Sequence, residues 1–129
     1  MSDTPNIAPT ISDPHDKVVG FIAKQFESDY TVLSNIDKAQ YYISSIFPDL
    51  ILQDKKDNKP RFIIEVKRNG GVAQCIQSWK SLPSIPATLY IIVPKELLSE
   101  AKKVAQIIGL SVRFGSYTIL NDDITVDYE

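Results

Sequence analysis

Apolar positions along the chain recur at two periods, and the two periods alternate. Val18, Val19, Ile22, Ala23 and Phe26 follow the spacing of one helix face, which predicts a helix over residues 13–28, with Ser12 able to cap it and Pro14 in its first turn. YTVLS at 30–34 reads as a short strand, whereas SNIDKAQYYISSI at 34–46 has no clean period and predicts loop. Two apolar runs follow, FPDLIL at 47–52 and RFIIEVK at 61–67, joined by the turn-rich DKKDNKP. That arrangement predicts a hairpin. Gly70-Gly71 breaks the chain, and VAQCIQSWKSL at 72–82 returns to helical spacing through Val72, Cys75, Ile76 and Trp79. ATLYIIV at 87–93 is apolar on both faces, as expected of a central strand covered from both sides. Pro94 then opens a helix whose stripe runs through Leu97, Leu98, Ala101, Val104, Ala105 and Ile108 until Gly109 ends it. LSVRFG at 110–115 is a further strand, and YTIL with ITVDY is a candidate terminal hairpin.

The predicted order is helix, three strands, helix, strand, helix, strand. It implies an α/β fold with a mixed central sheet, an antiparallel meander joined to parallel crossover strands and flanked by helices. At 129 residues the chain fits one domain. Its predicted organisation is a disordered leader over 1–12, a folded domain over 13–120 and an acidic tail over 121–129. The single cysteine, Cys75, excludes an internal disulfide framework and reads as a small buried hydrophobe. No apolar run is long enough to span a bilayer, and the N-terminus lacks a basic-then-apolar signal pattern. These features predict a cytoplasmic protein without a membrane partner.

Charge adds a regional bias. The net charge is −2, yet residues 38–80 carry eight Lys/Arg against four acids, while the rest of the chain carries six against twelve. A basic middle is compatible with a phosphate-bearing substrate, although lysines in a hairpin loop are commonly just solvated.

Ionisable residues within the two apolar runs change the picture most. Side chains on a strand alternate between faces, so Glu65 and Lys67 project together while Ile64 and Val66 point the other way. Folding the hairpin about its midpoint, Asp57, sets Asp49 opposite Glu65. Facing carboxylates repel unless a proton or a cation lies between them, and hard oxygen ligands of this kind suit Mg²⁺ or Mn²⁺.

The order Pro48-Asp49, a hairpin, Glu65-Val66-Lys67, then a helix containing glutamine at Gln74 or Gln77 resembles the PD-(D/E)xK nuclease superfamily, with its restriction-endonuclease-like fold. The resemblance spans roughly residues 13–115 in element order and about six positions in motif. It implies that Asp49, Glu65 and the Val66 carbonyl hold one or two Mg²⁺ or Mn²⁺ ions, that Lys67 positions the attacking water and a phosphate oxygen, and that Gln74 or Gln77 completes the catalytic set. The family often adds an acid from its first helix, for which Asp16 and Glu27 are the candidates here. His15, the only histidine, reads as a helix-start residue ahead of a ligand. Lys55, Lys56, Lys59 and Arg68 are candidate anchors for a nucleic-acid backbone. The implied activity is metal-dependent hydrolysis of phosphodiester bonds, in DNA ahead of RNA. No separate recognition domain is evident, so specificity would require a homodimer or a partner protein. Two other readings stand beside this one: a non-catalytic nuclease-fold module that binds nucleic acid or supports assembly, and an α/β domain whose ExK is accidental.

Overall fold

The computed structural model describes residues 14–36, 38–43, 47–68, 71–72 and 86–129. A helix α1 (His15–Phe26) precedes three strands, β1 (Tyr30–Ser34), β2 (Leu50–Asp54) and β3 (Pro60–Val66). Then come β4 (Thr88–Pro94), a 3-10 turn at Lys95–Leu97, α2 (Leu98–Ile108), β5 (Arg113–Leu120) and β6 (Asp123–Tyr128). The six strands lie in one sheet in chain order. β2 runs antiparallel to both β1 and β3; β3, β4 and β5 run parallel, and β6 returns antiparallel to β5. The architecture is α/β with a mixed sheet.

The two helices cover opposite faces. On one side Val18, Val19 and Ile22 of α1 pack with Leu50, Leu52, Ile64, Val66, Ile92 and Tyr117. On the other, Ala101 and Ala105 of α2 pack with Ile51, Ile63, Leu89, Ile91, Val93 and Phe114. β4 feeds both cores, which is why its run is apolar without alternation. Gly109 ends α2 in the left-handed conformation at φ 73°, and the N–H of Leu110 returns to the Ala105 carbonyl at 2.9 Å. Pro14 occupies the cap position of α1, while Ser12, the leader and most of the helix predicted over 72–82 lie outside the described residues.

The β2–β3 hairpin has the predicted register. Leu50 pairs Ile64, Ile51 pairs Ile63 and Leu52 pairs Phe62, all symmetric about Asp57. A bulge between Leu52 and Gln53 then brings Gln53 against Pro60, which has no N–H to give the ladder. The loop is closed by carboxylates: Oδ1 of Asp54 accepts from the Lys56 N–H, Oδ1 of Asp57 accepts from the Lys59 N–H, and Asn58 takes a positive φ of 59°.

At the far end of the chain the candidate hairpin of YTIL with ITVDY is formed, in place of the acidic tail expected over 121–129. Residues 123–128 form β6, a full edge strand, and the predicted break between 115 and 117 is absent because β5 runs unbroken from 113 to 120. Asn121 and Asp122, with φ 51° and 70°, make the tight turn whose twist suits a hairpin. Gly115 lets β6 approach: a Cβ there would lie 2.9 Å from the Asp127 carbonyl oxygen and 2.7 Å from Ile92 Cδ1. The acids at 122, 123 and 127 are therefore the outer face and turn of a paired hairpin, a pattern that composition alone reads as a tail.

On the α1 side, the part of the sheet beyond the helix end is closed by a ring of five aromatic side chains. Phe26, Tyr30, Phe62, Tyr90 and Tyr128 contact one another in sequence around the ring at 5.7–6.2 Å between centroids. They line a pocket of about 270 Å³ over Leu52 and Ile64.

Candidate functional site

Where the backbone ladder of the hairpin ends, side chains continue it. The last pair is Leu50 with Ile64. One residue further out, the Asp49 N–H donates to Glu65 Oε1 at 2.6 Å, and the Val66 N–H donates to Asp49 Oδ2 at 2.8 Å. Each acid thus takes the main-chain proton of the opposite strand, so neither side chain can swing away without leaving a backbone donor unpaired. Asn35 secures the approach to this point. Its Nδ2 donates to the carbonyls of Tyr41 at 2.7 Å and Pro48 at 2.6 Å, its Oδ1 accepts from the N–H groups of Gln40 and Tyr41, and its own N–H donates to the Asp49 carbonyl. One amide side chain holds both arms of the 38–48 loop against the start of β2.

His15 brings α1 into the site. The ring is 1% exposed, with Nε2 2.9 Å from Oδ2 of Asp49 and Nδ1 2.7 Å from Oδ1 of Asp16. Sequence reading placed it at a helix start and missed this role. The available signal was its position three and four residues before Val18 and Val19, on the buried stripe of α1. Asp16 itself is largely exposed and reaches the cluster through the imidazole. Arg68, 64% exposed, brings Nη2 to 3.9 Å from Oδ1 of Asp49.

The crowding has an electrostatic consequence. Loss of hydration and the neighbouring Asp49 charge push the Glu65 carboxyl up to about 8, against the opposing influence of the Asp49 N–H, His15 and Arg68. Burial on its own would lower the His15 imidazole, but hydrogen bonding and charge from Asp49, with help from Asp16, leave it raised above its ordinary value. Two unit charges about 4 Å apart at an effective dielectric near 20 repel by about 4 kcal/mol. The site therefore calls for one bound proton or one cation at neutral pH.

Lys67, directly after β3, is 6% exposed; its Nζ donates to the Arg68 carbonyl at 2.8 Å and its N–H to the Ile92 carbonyl at 2.9 Å. Val66 meets Asp49 through its N–H. Gln74 and Gln77 lie outside the described residues. Other candidates are placed elsewhere by the topology. Glu27 follows the end of α1, about 18 Å along the helix axis from His15. Lys55, Lys56 and Lys59 occupy the hairpin loop, about 20 Å down the strands from Asp49. Lys55 there donates to the Ser28 carbonyl, and Arg61 binds Asp57 and Asp54. Of the four predicted anchors, only Arg68 adjoins the acids. A hairpin puts its turn and its open end at opposite extremes, so closeness in sequence did not become closeness in space.

Among the described residues no three His, Cys, Asp or Glu side chains form a ready metal cage, and no helix is long and apolar enough to cross a membrane. No protein-family model, curated protein or solved structure matches the chain.

Proposed function

We propose that this chain is a divalent-metal-dependent nuclease of the PD-(D/E)xK type, with a restriction-endonuclease-like fold, acting on phosphodiester bonds in DNA ahead of RNA. The observation that carries this reading is the reciprocal Asp49–Glu65 arrangement at the open end of the hairpin, with Lys67 immediately beyond it. The donor chemistry suits a cation: Asp49 stands between Glu65 and His15, and Glu65 resists ionisation because it is buried and lies beside the Asp49 charge, which a bound cation would offset. Asp49 and Glu65 would hold the ion, with the Val66 carbonyl completing the set and His15 beside Asp49. Oxygen ligands of this kind suit Mg²⁺ or Mn²⁺. Bound there, such a cation supplies a water of lowered pKa and offsets charge on the reacting phosphate.

The chain's own residues have separable tasks. Glu65 must release its proton before it can act as an anionic ligand. Asp16 fixes the imidazole of His15 through Nδ1, leaving Nε2 toward Asp49. The Lys67 ammonium would orient the attacking water and a phosphate oxygen, and the Arg68 guanidinium would take a second phosphate oxygen. Incubating the purified chain with linear, circular, single-stranded and branched DNA, with Mn²⁺ and with chelator, tests the proposal. Mn²⁺-dependent cleavage abolished by Asp49→Asn is the expected result. Binding without cleavage of any of these substrates would replace it with a non-catalytic nucleic-acid-binding module.

A further inference from the structure

The loop ahead of Asp49 carries large apolar side chains that the core does not use. Tyr42 is 69% exposed and Phe47 is 50% exposed, and their rings meet edge to face with centroids 5.9 Å apart. Burying either ring would be favourable, yet both stand in water, on the loop that leads directly into Asp49. Their position is held firmly. Asn35 Nδ2 bonds the carbonyls of Tyr41 and Pro48 together, so the residue after the first anchor and the residue before the second are brought up beside Asp49. Lys38 is exposed on the same loop, and Arg68 adds positive charge beside Asp49, where the loop ends.

We infer that Tyr42 and Phe47 form a stacking platform for unpaired nucleobases, and that the substrate presents a single-stranded segment to the Asp49–Glu65 site. The inference rests on the nuclease reading of that site. Two exposed rings on a loop that carries Lys38 and ends at the site of Arg68 match the chemistry of single-strand recognition, in which every base offers a π face and the phosphates meet Lys and Arg. A duplex keeps its bases stacked on one another and offers these rings only the terminal pair. The mutual contact leaves both rings at least half exposed, so each retains surface that an incoming base could cover.

The test is fluorescence anisotropy of the full chain with labelled dT12 and with a blunt 12-base-pair duplex, in chelator, so that the readout is binding alone. The wild type should bind dT12 more tightly than the duplex. Tyr42→Ala and Phe47→Ala should each weaken dT12 binding about 5- to 100-fold, leaving duplex binding unchanged. Tyr42→Phe should retain the affinity and Tyr42→Leu should lose it, since leucine keeps the apolar area but not the π face. Circular dichroism melts of the variants confirm the fold. Equal affinity of wild type and both alanine variants for dT12 overturns the inference. So does a homodimer that Tyr42→Ala dissociates while dT12 binding persists, because the rings would then cover a second copy. Ring-dependent dT12 binding with no cleavage in Mn²⁺ removes only the nuclease reading, whereas cleavage that ignores both ring substitutions removes only the platform.

Discussion

Nε2 of His15 lies 2.9 Å from Oδ2 of Asp49, so the first turn of α1 and the start of β2 are joined through one carboxylate that also accepts the Val66 N–H. Helix, meander and the strand leading to Lys67 meet at this point. A change in charge on any of the three groups is felt by the other two, and the consequences are measurable.

Without divalent metal, stability should fall as pH rises. Glu65 has its folded-state pKa raised from 4.5 to about 8, so its proton contributes stability that is complete below the unfolded value near 4.5 and is lost on passing through about 8. His15, raised from 6.5, acts in the same direction, contributing below its unfolded value and losing that contribution above it. Thermal melts in chelator from pH 4.5 to 9 should show the decline. Glu65→Gln, which still accepts from the Asp49 N–H, should flatten most of it. Parallel curves for the two proteins would mean that Glu65 is ionised throughout.

Mn²⁺ should reverse that trend. An ion bound only by the folded chain stabilises it by mass action, and it competes with the Glu65 proton. The Mn²⁺-induced rise in melting temperature should therefore be larger at pH 8 than at pH 5.5. Asp49→Asn should remove most of the shift. An undiminished shift in Asp49→Asn would place the ion elsewhere.

Lys67→Ala leaves both acids in position. Metal-induced stabilisation should survive while cleavage falls by roughly 10²–10⁴-fold. Combined replacement of Lys55, Lys56 and Lys59 by alanine should leave cleavage of a short oligonucleotide within about threefold, because the hairpin loop lies about 20 Å from Asp49. Arg68→Ala should weaken binding and lower the salt slope by about one. Assays on oligonucleotides of six residues separate these effects; a large loss in the triple variant would show that the substrate reaches the far end of the hairpin.

β6 is predicted to be part of the cooperative unit. Gly115→Ala would push a methyl to 2.9 Å from the Asp127 carbonyl oxygen, and the overpacking should cost about 1–3 kcal/mol. Denaturant titration measures this directly. An unchanged midpoint would mean that β6 separates from β5 at no cost.

Much of the local structure was legible because it depends on short-range periodicity. The helix face of Val18, Val19 and Ile22, the doubly covered run of β4, the Gly109 stop and the hairpin register symmetric about Asp57 all follow from side-chain spacing within a few residues. The juxtaposition of Asp49 and Glu65 was legible for the same reason, since a hairpin converts sequence symmetry into contact. Tertiary structure decided what spacing cannot reach. It set His15 against Asp49 across thirty-odd residues, and it made Asn35 the clamp on the loop before β2. Each of these depends on where the chain returns after a reversal, and that is selected by burial of whole faces against one another, a property of the assembled sheet and helices rather than of any single segment.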